Sequence, residues 1–144
     1  MIDSLRTPWW ALRVALGAMA FLAGLDKFFN ILADWPGYLS PLAGYLPLSS
    51  SSLMHIVGVI EAVVGLAILA GYTRLGGYVA AIWLLALAAN LVTTGHFFDV
   101  AVRDAVLAVA AFTLARLSEA GAGASAGGRL VEATVIGRTG RNAA

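Results

Sequence analysis

The chain has 144 residues, a net charge of +1, 60% hydrophobic residues and only 12% charged residues. Its mean hydropathy is +0.87, and because soluble domains contain about 25% charged residues, this composition indicates a membrane protein. The absence of cysteine excludes a disulfide framework, a thiolate metal site and dithiol chemistry by this chain, and the small net charge gives no support for nucleic-acid binding.

Four apolar stretches follow one another, and a helix needs about 20 mostly apolar residues to cross a bilayer. Short turns at residues 73–74 and 95–96 force neighbouring spans into opposite directions, so we predict an all-α, antiparallel four-helix transmembrane bundle. The proline- and serine-rich connection 34–52 predicts a structured loop that ends in a helix N-cap. The predicted transmembrane domain covers residues 1–118, with spans at about 9–33, 53–72, 75–94 and 98–117.

The composition changes after the fourth span. Residues 120–128 contain only alanine, glycine and serine, which is typical of a flexible linker, and residues 130–136 could form a short strand. Two interpretations of segment 119–144 are open: a flexible cytoplasmic tail, or a segment that docks onto a partner protein or a neighbouring subunit.

The positive charges predict the orientation of the chain. The long connection between the first two spans contains no lysine or arginine, so the positive-inside rule predicts that both termini are cytoplasmic, in a bacterial-type plasma membrane. The arginines on the predicted cytoplasmic side are Arg6, Arg13, Arg74, Arg116, Arg129, Arg138 and Arg141.

Each predicted span contributes a polar group to one layer in the outer half of the bilayer. A helical rise of about 1.5 Å per residue places most of these groups roughly 6–12 Å below the outer ends of their spans, with two aspartates flanking the layer. The residues of this layer are Lys27, Glu61, Arg103, Asp104, Asp26, Asn90 and Asp99.

The charged residues of this layer share helix faces with small residues, which allow another helix to approach closely. We therefore predict that the charges lie on packing faces and that the leucine-rich faces contact lipid. The three predicted faces are Arg13, Gly17, Ala20, Gly24 and Lys27; Gly58, Glu61 and Gly65; and Asp104, Ala108, Ala111 and Ala115.

An ionised side chain near the bilayer centre costs about 2.5–3.5 kcal/mol, so inward orientation and pairing are expected. We predict a charge-balanced network centred on Lys27, Glu61, Arg103 and Asp104. Two interpretations are open, because such a network could only lock the bundle together or could form the polar end of a functional pocket.

Other polar and aromatic residues have structural interpretations. His55 and His96 are weak candidates for haem or, together with Asp99, for a metal, but two histidines are too few, so we expect no metal site and no haem. Arg13 is expected to reach the lipid headgroups by snorkelling. Trp83 is interpreted as a packing residue.

Four short segments resemble DoxX-like membrane proteins over about residues 9–118: residues 21–29 (FLAGLDKFF), 58–65, 71–74 and 99–104. The resemblance implies a small four-helix integral membrane protein, from a family whose named members are associated with quinone-linked sulfur oxidation and with thiol or oxidant-stress complexes. It also implies that Lys27, Glu61, Arg103 and Asp104 are family-like polar positions, without assigning them a catalytic role.

The leading functional hypothesis is a membrane subunit of a redox-linked system, with an intramembrane polar pocket for a quinone-like or lipid molecule and no covalently bound cofactor. A membrane or soluble redox partner would then carry the electron chemistry. The alternative is a non-catalytic scaffold or assembly factor that anchors a partner protein. A transporter is less favoured because the inner halves of spans two and three are almost wholly apolar. The sequence assigns neither a reaction nor an oligomeric state.

Overall fold

The computed structural model describes residues 3–45 and 47–142, with side-chain surroundings described for residues 4–45 and 47–123. Within these residues all regular secondary structure is helical, which confirms the all-α prediction. The four long helices are α1 (Asp3–Asp26), α2 (Ser50–Ala70), α3 (Thr73–Thr93) and α4 (Phe98–Asn142).

Three helices of the described chain are long and apolar enough to cross a membrane: Ser4–Asp26, Ser50–Ala70 and Thr73–Thr93. Many of their large apolar side chains face outward; Ile82 on α3, for example, is 71% exposed. Such extensive apolar exposure is unusual for a soluble monomer and suits contact with lipid tails. The fourth crossing, in α4, stays a prediction.

The first helix ends earlier than hydropathy predicted, at Asp26 rather than near residue 33. The Asp26 carboxylate accepts hydrogen bonds from the backbone amides of Ile31 (3.0 Å) and Leu32 (2.9 Å), and Asn30 has a positive φ of 53°. The apolar run continues past Asp26, but these hydrogen bonds favour a turn over another helical turn.

The connection between α1 and α2 is structured, as predicted. It contains two short 3-10 helices, Trp35–Tyr38 and Pro41–Tyr45, and α2 begins after an N-cap at Ser49, whose hydroxyl accepts the Ser52 amide. Asn90 of α3 holds the connection in place, because its side chain accepts the Ser40 amide (3.0 Å) and donates to the Tyr38 carbonyl (2.8 Å).

Helices α1 and α2 pack backbone against backbone through their glycines. A Cβ atom on Gly24 would lie 2.6 Å from the carbonyl oxygen of Gly58, and one on Gly17 would lie 3.2 Å from the carbonyl oxygen of Gly65. Any larger side chain would separate the helices, so the predicted small-residue faces of α1 and α2 do lie at a helix interface.

Helix α3 packs mainly against α4. A Cβ atom on Gly77 would lie 2.9 Å from the Ala111 carbonyl oxygen and 3.0 Å from the Ala115 Cβ, so the predicted alanine face of α4 also lies at an interface. All four helices contribute to one buried apolar cluster: Leu16, Val64, Ile68, Ala80, Ala81, Ala111 and Leu114.

Arg13 does not simply snorkel to the headgroups. Its guanidinium donates to the carbonyl oxygens of Ile68 (3.0 Å) and Leu69 (2.6 Å), near the C-terminal end of α2, and lies over the rings of Trp9 and Trp10. The last carbonyls of a helix lack partners within the helix, and Arg13 supplies two of those hydrogen bonds.

The segment after residue 118 continues α4 as a helix to Asn142. The expected strand at residues 130–136 is therefore wrong. An isolated strand leaves its backbone unpaired, whereas a helix satisfies its own amides and carbonyls. Docking of this segment onto a partner stays a prediction, and residues 143–144 lie outside the described chain.

Candidate functional site

A cavity of about 420 Å³ lies among the four helices, beneath the connection between α1 and α2. Most of its wall is apolar, with leucine, methionine, valine and alanine side chains from every long helix. Polar and aromatic groups line the remainder: Lys27, Trp35, Tyr38, Glu61, Trp83, Asn90, Arg103 and Asp104.

The most deeply buried ion pair on this cavity joins the turn directly after α1 to α2. The Lys27 Nζ lies 2.5 Å from the Glu61 Oε2, and the two side chains are only 4% and 9% exposed. The close helix approach explains their meeting, because a Cβ atom on Gly58 would lie 3.0 Å from the Lys27 Cβ. Each charge thus compensates the other in a setting from which water is largely excluded.

A tryptophan from the connection completes the surroundings of Lys27. The Lys27 Nζ lies 3.8 Å from the centroid of the Trp35 ring, a cation–π contact, and the Trp35 indole donates to the Asp26 carboxylate at 2.7 Å. The contact depends on the turn after Asp26, which hydropathy does not reveal.

The second ion pair lies on α4 alone. The Nε and Nη2 atoms of Arg103 both donate to the Asp104 Oδ1 at 3.2 Å, and the side chains are 62% and 9% exposed. Asp104 interacts electrostatically with both Lys27 and Glu61. The predicted four-charge network therefore consists of two ion pairs on one cavity, and no described hydrogen bond joins the pairs.

The remaining members of the predicted polar layer have separate positions. Asn90 lines the cavity while it holds the connection. Asp26 is buried and caps the turn after α1, and Asp99 is exposed at the start of α4. Neither aspartate lines the cavity; Asp26 is engaged by the turn, and Asp99 is exposed.

The two histidines are exposed and lie off the cavity wall. His55 stacks on Phe28 with ring centroids 4.8 Å apart, and His96 lies against Phe97. Within the described residues, no group of three histidine, aspartate or glutamate side chains could hold a metal ion.

Trp83 lies on the cavity wall, a position that its interpretation as a packing residue did not include. Its indole Nε1 is buried and makes no hydrogen bond to the part of the chain that the structure describes, although it interacts with the nearby Glu61 carboxylate. The sequence signal that was available is the helical spacing that places Trp83 and Asn90 on one stripe of α3.

The cavity combines an apolar interior with hydrogen-bond donors and acceptors in one region. Lys27, Arg103 and Trp83 carry donors, and Glu61 and Asp104 carry carboxylate acceptors. A pocket with apolar walls and one polar region suits a small molecule that has an apolar body and a polar head.

The model of the DoxX family matches residues 9–96. None of the curated proteins matches this chain, and neither does any solved structure. The match covers more than half of the chain, so the protein belongs to the DoxX family, and its apolar helices identify it as a membrane protein. Lys27, Glu61 and Asn90 lie inside the matched range, whereas Arg103 and Asp104 follow it.

Proposed function

We propose that this DoxX-family protein is an integral membrane subunit of a redox-linked system and that its cavity binds a quinone-like or lipid molecule. A quinone-like molecule is favoured. The supporting observation is the cavity itself, in which apolar walls from four helices meet the buried ion pair of Lys27 and Glu61. A quinone likewise combines apolar and polar parts, because it has an apolar ring and tail and two polar carbonyl oxygens.

The size of the cavity favours this choice. Its volume of about 420 Å³ lies in the range of small-molecule pockets, roughly 300–1,000 Å³. It can accommodate a ring system and the first part of one tail. A phospholipid would have to bring a headgroup and two acyl chains into the same space, so it fits less well.

The ion pair gives the cavity a chemical role in addition to binding. Reduction of a quinone to a hydroquinone takes two electrons and two protons. In this proposal a cofactor-bearing partner supplies the electrons, and the pair of Lys27 and Glu61 passes protons to the carbonyl oxygens, as intramembrane ionisable groups do in proton relays.

The proposal includes an antiparallel bundle with both termini in the cytoplasm of a bacterial-type cell. An antiparallel arrangement of α1 and α2 is supported by their glycine contacts, since Gly17 lies opposite Gly65 and Gly24 lies opposite Gly58. The connection over the cavity lacks lysine and arginine, so the cavity would open toward the outer face.

The orientation can be tested by cysteine labelling. Because the chain has no cysteine, a Gly44→Cys variant carries a single labelling site. A membrane-impermeant maleimide should label intact spheroplasts, and labelling only after lysis would contradict the orientation.

The binding proposal is tested by extracting the detergent-purified protein and identifying small molecules by mass spectrometry. Ala20 lines the cavity, so Ala20→Leu should fill part of it and abolish retention of a quinone. Ala86→Leu is the matched control, because Ala86 is exposed on α3. A wild-type protein without any quinone, or equal quinone in all three proteins, would contradict the proposal.

A second candidate function is a scaffold that anchors a partner protein. The observation in its favour is the continuation of α4 as one helix to Asn142, well beyond the predicted fourth span. A chain truncated after Ser118 should then lose a stoichiometric partner that co-purifies with the full chain. Retention of the partner by the truncated chain would exclude this use of the helix.

A further inference from the structure

We infer that the indole N–H of Trp83 donates a hydrogen bond to a carbonyl oxygen of the molecule in the cavity, and so orients that molecule. This inference rests on the proposed function and specifies which atom of the ligand is recognised. It starts from one observation: Trp83 lines the cavity, and its Nε1 is buried without a hydrogen bond to the described residues.

A buried donor without a partner is costly, because it has lost its hydrogen bonds to water and gained none in return. The indole nitrogen of tryptophan is a donor only. The missing partner must therefore be an acceptor, and in an apolar cavity a carbonyl oxygen of the ligand meets that need.

Three side-chain oxygens around the cavity already accept from other donors. The Glu61 Oε2 accepts from Lys27, the Asp104 Oδ1 accepts from Arg103, and the side-chain oxygen of Asn90 accepts from the Ser40 amide. The Trp83 indole also interacts with the Glu61 carboxylate, but it does not meet the geometry of a hydrogen bond to it. A ligand oxygen that accepts from Trp83 would consequently lie beside the buried ion pair, where a proton could reach it.

Two probes with nearly the same apolar body separate hydrogen bonding from apolar contact. The first is 2-methyl-1,4-naphthoquinone, and the second is 2-methylnaphthalene, which lacks both carbonyl oxygens. Each is added to the full-length protein in lipid nanodiscs, with empty nanodiscs as the reference for partition into lipid.

The direct readout is NMR of protein labelled with ¹⁵N-tryptophan. The chain has four tryptophans, so four indole N–H signals are expected, and Trp83→Phe identifies one of them. We expect the quinone to move the Trp83 indole proton downfield, and the hydrocarbon to leave it nearly unmoved. Bound quinone without this shift, or equal shifts with both probes, would overturn the inference.

Equilibrium binding gives the second readout. The loss of one hydrogen bond in Trp83→Phe should weaken binding of the quinone about five- to tenfold and change binding of the hydrocarbon by less than about twofold. Trp10→Phe is the control, because Trp10 lies outside the cavity. Equal affinity of wild type and Trp83→Phe for the quinone would refute the inference alone. Absence of quinone binding to wild type would refute the proposed function instead.

Discussion

The two ion pairs on the cavity differ in almost every property that determines their energetic weight. Lys27 and Glu61 are 34 positions apart in sequence, join the turn after α1 to α2 and are nearly inaccessible to water. Arg103 and Asp104 are neighbours on one helix, and the Arg103 side chain is 62% exposed. The first pair closes a tertiary contact, whereas the second adds none.

This difference bears on the two interpretations of the charge network. A buried pair strongly destabilises a protein when one partner is removed, because the other charge is left without compensation. In the second pair the Asp104 side chain is as buried as that of Glu61, but Arg103 is 62% exposed and Lys27 also compensates the Asp104 charge. We therefore expect the locking role to fall on Lys27 and Glu61, and Arg103 to be available for other contacts at the cavity.

The largest effect is expected from Glu61→Ala. It leaves the Lys27 ammonium buried and unpaired, so we expect a loss of about 3–5 kcal/mol in the free energy of unfolding and a much lower folded yield. Thermal unfolding in detergent, followed by size-exclusion chromatography, measures this loss.

The control for Glu61→Ala is the double variant Lys27→Met with Glu61→Leu, which removes both charges and should recover most of the stability. A melting temperature unchanged in Glu61→Ala would show that the pair does not lock the bundle.

A smaller loss is expected from Gly58→Ala, which disturbs the helix contact beneath the first pair. The new methyl group would lie 2.6 Å from the Gly24 carbonyl oxygen and 3.0 Å from the Lys27 Cβ. Such overpacking costs about 1–3 kcal/mol, and the same unfolding assay detects it. Gly44→Ala is the matched control, because a Cβ atom there meets nothing within 4 Å. Equal stability of both variants would contradict the close contact between the helices.

The smallest effect on stability is expected from Arg103→Gln. Because glutamine keeps an N–H donor for the buried Asp104 carboxylate and Lys27 also compensates its charge, we expect a change of only about 1 kcal/mol in the free energy of unfolding. Thermal unfolding measures it beside Arg103→Lys, which keeps the charge. A loss as large as that of Glu61→Ala would remove the distinction between the two pairs.

Much of the helical framework could be predicted from local sequence. The apolar runs identified the helices, and the spacing of Gly17, Gly24, Gly58 and Gly65 predicted a close interface that the structure contains. These signals are local because the 3.6-residue period of a helix determines which of its residues share a face. The same periodicity predicted that Lys27 and Glu61 face each other, and they do, although Lys27 lies just past the end of α1.

The parts that could not be predicted depend on particular side-chain hydrogen bonds, which hydropathy and periodicity do not register. Hydropathy continued α1 to about residue 33, because it did not register that the Asp26 carboxylate would hold the backbone amides of the following turn. The positions of Trp35 and Tyr38 over the cavity depend in turn on that turn and on Asn90. Periodicity also placed Trp83 on a face, but it could not show that a cavity lies in front of its ring.

The sequence positions of Lys27 and Glu61 also affect how the protein is made. Both residues belong to the first helical hairpin, and the glycines that bring them together belong to it too. Their contact needs nothing from α3 or α4, so it can form once the ribosome has synthesised the first half of the chain. The hairpin can then leave the translocon with opposite charges already neutralised, whereas a lone Lys27 would enter the lipid at full electrostatic cost.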